Sequence, residues 1–183
     1  SSIGEKNIKT FSVGFGTQSD ELEYARIVAD KFKTQHTEIL VQAEDIKKYL
    51  PQIVLSLDEP IADTGAFASW LIFKHIRQKT NIKVAIVGEG ADEIFAGYSW
   101  HYILDRLSWL PESIKNRTLF YLTTYANSKF RNALFKKIFL TDYNKFSDSD
   151  YLNKILRMEF NNNLPNNLLM KIDKASMAFG IEA

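Results

Sequence analysis

Ile82-Lys83-Val84-Ala85-Ile86-Val87-Gly88-Glu89-Gly90-Ala91-Asp92-Glu93-Ile94-Phe95-Ala96-Gly97-Tyr98 passes from an apolar run of strand type into a Gly-x-Gly corner carrying one acid. A helix with two more acids in its first turn follows at once. A continuous apolar run is the pattern of a buried parallel strand, and the carboxyl end of such a strand is where open α/β sheets place ligands. Glu89 stands at that end. Gly88 and Gly90 remove side chains that would hold a ligand off the backbone, and the N–H groups of the following helix favour an anion such as phosphate. Asp92 and Glu93 conflict with a bare anion, and a divalent cation resolves the conflict because Mg²⁺ takes hard carboxylate and phosphate oxygens together. The corner also has a ligand-free reading, in which first-turn acids stabilise the helix dipole by about 0.3–1 kcal/mol each.

Working outward, 183 residues and 21.1 kDa suit one domain with a helical annex, and 45% hydrophobic content can build a core. With 23 basic and 22 acidic residues the net charge is +1, so no global field favours nucleic acid or an acidic membrane surface. The absence of cysteine excludes disulfides, thiolate metal sites and a cysteine nucleophile within the stretch, and it fits a reducing compartment. No apolar run approaches the ~18–20 residues of a membrane span, and the opening Ser1-Ser2-Ile3-Gly4-Glu5-Lys6 is no signal peptide. The cytoplasm is the expected location.

Residues 8–13 read as a strand, then a turn leads to a helix opened by Asp20 with Glu23 three residues on. Leu22, Ala25, Val28, Ala29 and Phe32 make its apolar stripe. A second strand is expected over 36–41 and a helix over 43–57, with a kink or restart at Pro51. Residues 58–65 form a loop, 66–78 a helix packed by Trp70, Leu71 and Phe73, and 83–87 a strand. Strands alternating with helices imply parallel pairing through right-handed crossovers. Beyond Tyr98 the strand signals stop: 100–180 reads as helix, with Pro111 at a helix start, aromatics at Phe120, Tyr121, Tyr125, Phe130, Phe135 and Phe139, and a polar joint over 141–150.

Other chemistry is sparse. His36, His75 and His101 lack metal-ligand spacing, and there is no Gly-x-Ser-x-Gly elbow or Walker A sequence. The basic tract Lys115, Arg117, Lys129, Arg131, Lys136 and Lys137 reads as a solvated helix face. Pro165 opens a last helix in which Leu168, Ile172 and Ala175 line one face while Lys171 and Lys174 share another at i,i+3 spacing. Taken alone, that is ordinary packing with solvated lysines. Asp58 to Asp63 lies between two helices, where acids also serve as caps and turn formers.

Together these clusters resemble the synthetase domain of the asparagine synthetase family, the class II glutamine-dependent amidotransferases. The matching blocks, in order, are Lys9-Thr10-Phe11-Ser12-Val13-Gly14-Phe15, Leu57-Asp58-Glu59-Pro60 with Asp63, Gly88-Glu89-Gly90-Ala91-Asp92-Glu93, and Leu168-Leu169-Met170-Lys171-Ile172-Asp173-Lys174-Ala175-Ser176-Met177-Ala178. The resemblance implies an α/β fold with a parallel sheet of the N-type ATP pyrophosphatase type: residues 1–98 a partial nucleotide-binding core lacking the pyrophosphate-loop strand, and 99–183 the helical part of the same domain. It implies ATP and Mg²⁺, adenylation of the side-chain carboxylate of aspartate or a similar substrate, and attack by ammonia to give asparagine, AMP and pyrophosphate. By position Glu89 matches the general base that takes a proton from the attacking nitrogen, and Asp92 the aspartate holding Mg²⁺ on pyrophosphate. Val13, Gly88 and Gly90 match nucleotide-binding positions. Asp63, Lys171, Asp173 and Lys174 match residues near the site without individual roles.

The chain also departs from the family pattern. Nothing in residues 1–6 resembles the Ser-Gly-Gly-x-Asp-Ser loop expected before the first strand, and neither the ammonia-supplying glutaminase domain nor the family's continuation after Ala183 is present. Val87 replaces a common hydroxyl residue, and Asn166 and Asn167 replace acids often found before the paired leucines. The expectation is an excerpt of a longer, homodimeric enzyme, inactive alone, whose missing central strand leaves the inner edges near Ile8 and Lys83 unpaired. Two other readings stay open: a related adenylating amidotransferase or β-lactam-forming synthetase with another acceptor, and a non-catalytic helical interaction module.

Overall fold

β1 (Lys9–Gly14) and β2 (Gln35–Leu40) pair in parallel, in register from Lys9 opposite Gln35 to Gly14 opposite Leu40. The computed structural model describes residues 8–17, 20–58, 63–111, 113–115 and 150–183. The expected aromatics at 120–139, the polar joint over 141–149, and Arg117, Lys129, Arg131, Lys136 and Lys137 of the basic tract lie outside these.

A parallel pair needs a crossover, and α1 (Leu22–Phe32) supplies it. Its entry differs from the expected cap. Asp20 Oδ2 instead accepts from the N–H groups of Phe15, Gly16 and Thr17 at 2.9, 2.7 and 3.1 Å. A short acidic side chain here satisfies the loop's donors rather than the helix's, because the loop N–H groups are nearer in sequence and already converge. Of the expected stripe only Leu22 and Ala29 are buried; Val28 and Phe32 are more than half exposed.

α2 (Ala43–Leu57) has the expected bounds and runs through Pro51 as one helix. Gln42 and Asp45 form a reciprocal capping box at its start, with Gln42 N–H donating to Asp45 Oδ2 at 3.1 Å. α3 (Gly65–Lys79) carries Trp70, Phe73 and Ile76 into the core. Trp70 donates Nε1–H to Ser56 Oγ at 3.0 Å and meets Phe179 edge-on at a centroid distance of 4.8 Å. Ile53, Ala175 and Ile181 are fully enclosed in the same cluster, which Phe11, Val13, Ile39, Ala85 and Val87 join from the strands. Burial stabilises each large aliphatic group here by roughly 1.5–3 kcal/mol.

The strand expected at 83–87 is reduced to one parallel bridge, Val84 to Glu182, with Ala85 N–H donating to Glu182 O and Glu182 N–H to Lys83 O, both at 2.8 Å. Its side chains still alternate: Ala85 and Val87 pack on the core, whereas Val84 and Ile86 are 64% and 100% exposed. A ladder longer than this needs a partner along its length, and Glu182 supplies one residue of it.

The helical part continues with α4 (Ala91–Phe95), α5 (Ser99–Arg106) and α6 (Tyr151–Asn161). A π-helical turn (Leu164–Leu169) with Pro165 in its first turn then leads into α7 (Met170–Met177). The chain divides into two compact units, Ser1–Val87 with Lys171–Ala183, and Gly88–Met170. Leu104, Tyr151, Ile155 and Met158 form the second unit's own core. Among the described residues no helix is long and apolar enough to cross a membrane.

Candidate active site

In the Gly88–Met170 unit, Glu89 and Gly90 form the turn of the corner, and α4 begins at the next residue. Gly90 holds φ 93°, a conformation that costs an L-residue roughly 1–2 kcal/mol, so glycine is needed there. Gly88 differs: a Cβ built on it meets nothing within 4 Å, so its lack of a side chain leaves open space beside the backbone. Glu89 is half-buried and Asp92 exposed.

Glu93 is 1% exposed and accepts a hydrogen bond from the Tyr98 hydroxyl. Burial raises the Tyr98 phenol above its ordinary value, and acceptance by Glu93 with the charges of Glu93, Asp92 and Glu159 adds to the rise, so Tyr98 stays a donor. The two adjacent acids of the corner are therefore sorted, one inward and one outward. His101, 1% exposed, places Nε2 at 2.9 Å from Glu159 Oε2, joining α5 to α6. Sequence reasoning missed both pairs, and the 58-residue separation of His101 and Glu159 leaves no local signal.

In the other unit, the two lysines of α7 each meet an acid. Lys171 Nζ lies 2.8 Å from Asp63 Oδ2, and Lys174 Nζ 3.1 Å from Asp58 Oδ2. The first pair is enclosed, with the Lys171 side chain 5% and Asp63 29% exposed; the second is open, at 25% and 74%. Burial alone would raise the Asp63 carboxyl, but hydrogen bonds from Lys171 and the Gly65 N–H, together with the lysine's charge, outweigh it and hold the group below the ordinary carboxylate value. Lys171 thus departs from the solvated lysine expected. It occupies the Leu168, Ile172, Ala175 stripe, being three residues past Leu168 and four before Ala175. Asp173 is exposed, and with Asp58, Lys174, Gln52 and Ser56 it lines a cavity of about 640 Å³.

Val13, half-buried on β1, borders a groove of about 460 Å³ with Thr10, Ser12, Tyr24, Val28 and His36. Thr10 Oγ1 holds His36 Nδ1 at 2.9 Å, a structural use of that histidine. Val13 and the Lys171 group belong to one unit, and Glu89, Gly90 and Asp92 to the other. Among the described residues no three His, Cys, Asp or Glu side chains form a metal cage. The donors present fit Mg²⁺ in the way that needs no cage, one or two carboxylates completed by phosphate oxygens and water.

The model of the asparagine synthase family matches residues 2–183. Asparagine synthetase [glutamine-hydrolyzing] 1 of Bacillus subtilis is 26% identical over an alignment of 219 positions, covering 96% of this chain and 34% of that protein. A Methanocaldococcus jannaschii protein named for the same enzyme is 32% identical over 111 residues, 59% of this chain and 21% of its own. The human asparagine synthetase [glutamine-hydrolyzing] is 33% identical over 97 residues, 52% of this chain and 17% of its own. The chain thus spans about a third or less of the length of these relatives. Its parallel strand pair, its helical C-terminal region and a family match that runs from the second residue to the last agree on one conclusion: this chain belongs to the asparagine synthase family.

Proposed function

We propose that this chain is part of the synthetase domain of a glutamine-dependent amide ligase acting on aspartate or a similar carboxylate. The observation that carries the reading is the corner itself, where a half-buried Glu89 and an exposed Asp92 flank glycines with open backbone while Glu93 is turned inward. Mg²⁺, when bound, supplies charge neutralisation on the phosphates of ATP. Asp92 would hold it, and Gly88, Gly90 and Val13 would bind the nucleotide.

In the proposed reaction a carboxylate oxygen of the substrate attacks the α-phosphorus of ATP and pyrophosphate leaves. Ammonia then attacks the activated acyl carbon, and the nitrogen becomes cationic. Glu89 takes that proton, which keeps the nitrogen bonded while AMP departs with the electron pair of the C–O bond. A carboxylate suits this role because the cationic nitrogen is a far stronger acid than ammonia. The two ion pairs of α7 would hold Asp58 and Asp63 in place as structural supports of the site.

The absence of cysteine fits a cytoplasmic setting. A second reading, in which the same adenylating frame serves another acceptor, is favoured by Asn166 and Asn167 at positions where the family often carries acids. Exchange of labelled pyrophosphate into ATP by the full-length gene product tests both. Aspartate-dependent exchange supports the first reading, exchange with a different carboxylate the second, and no carboxylate-dependent exchange contradicts both.

A further inference from the structure

The backbone turns back on itself directly after α4. Ala96 adopts φ 59° and ψ 43°, and Gly97 N–H donates to the Asp92 carbonyl at 3.1 Å. This brings residue 97 against the side chain of the first acid while residue 98 reaches the second. A Cβ at Gly97 would overlap Asp92 Oδ1 and lie 2.8 Å from its Cγ and 3.1 Å from its Cα. Gly97 φ is not in the left-handed region, so glycine is required here by space and not by backbone conformation.

We propose that Gly97 is a positioning residue, whose missing side chain creates the one place where the Asp92 carboxylate can lie beside the turn. Tyr98 binds Glu93 inward and Gly97 leaves room for Asp92 outward, so the turn assigns different tasks to two chemically similar neighbours. The atom a new Cβ meets first is the end of a short, exposed side chain, which can rotate away. Substitution at 97 therefore redirects Asp92 more than it disturbs the fold. This deepens the reading of Asp92 as the cation-holding acid and rests on it only for the functional readout.

The test is a double-mutant cycle of Gly97→Ala and Asp92→Ala in the full-length gene product. It is read by thermal unfolding and by Mn²⁺ titration in the presence of ATP, followed by electron paramagnetic resonance. Gly97→Ala is expected to weaken Mn²⁺ binding about 10–100-fold, the range for lost support of a metal ligand. The double variant should bind Mn²⁺ no more weakly than Asp92→Ala alone. If Gly97→Ala is too unstable to titrate, Asp92→Ala must restore its unfolding temperature, because the overlapping atoms are then gone. Wild-type Mn²⁺ binding by a folded Gly97→Ala protein overturns the proposal, as does an unstable Gly97→Ala that Asp92→Ala fails to rescue. If Asp92→Ala alone leaves Mn²⁺ binding unchanged, the cation reading of Asp92 fails, and the coupling in unfolding temperature still decides the role of Gly97.

Discussion

The ammonium group of Lys171 lies 2.8 Å from Asp63 Oδ2, joining residues 108 apart in the chain, with the lysine side chain 5% exposed. Removing one partner of an enclosed pair leaves the other charge uncompensated. Lys171→Met should therefore destabilise the protein by about 3 kcal/mol, the low end of the range for a broken buried pair because Asp63 keeps some solvent. Lys174→Met, which unpairs the far more exposed Asp58, should cost less than about 1 kcal/mol. Urea unfolding of the two variants measures the contrast, and equal losses would contradict it.

The same pair makes stability depend on pH. The folded Asp63 carboxyl titrates below its ordinary value, so between the folded and unfolded values the unfolded chain binds more protons. The stabilisation is present above the ordinary carboxylate range near pH ~4 and is lost as pH falls through the folded value. Asp20 and Glu38 are also held low, by loop N–H groups and by Arg26 respectively, so the wild-type decline is shared among them. The difference between wild type and Asp63→Asn isolates the Asp63 part, which should shrink steadily on acidification from pH 5 to pH 2.

The two glycines of the corner should respond differently to alanine. Gly90→Ala is expected to lower stability by roughly 1–2 kcal/mol, because it forces a Cβ into φ 93° and within 3.5 Å of Leu164. Gly88→Ala meets nothing and should leave the unfolding temperature unchanged while weakening nucleotide binding. Thermal unfolding with and without Mg·ATP separates the two effects.

His101 and Glu159 form a closed couple in the second unit's interior. His101→Ala should cost about 3–5 kcal/mol, and adding Glu159→Ala should cost little more, since the unpaired charge is then removed as well. Additive losses in chemical unfolding would show that the two side chains contribute independently.

Local patterns account for what the sequence made legible. α2 has the expected bounds, Ala43–Leu57, and α3, β1 and β2 start or end within one residue of expectation, because each depends on periodic apolar residues and nearby caps. Long-range pairing accounts for the rest. Nothing beside Lys171 in sequence shows that Asp63 waits to enclose it, and nothing near Glu93 except Tyr98 shows that it turns inward. Asp20 was misread as a helix cap because the same side chain serves a loop equally well from the same position. The run at 83–87 has strand composition but only one residue of partner in Glu182, so its alternation survives where its ladder does not.

Glu89→Gln in the full-length gene product tests the central claim most directly, because it removes the proton acceptor and keeps nearly the same shape. Amide synthesis should fall by about 10²–10⁴-fold, the usual contribution of a general base, while carboxylate-dependent exchange of pyrophosphate into ATP persists. Amide synthesis at the wild-type rate would contradict the assignment of Glu89 as the base.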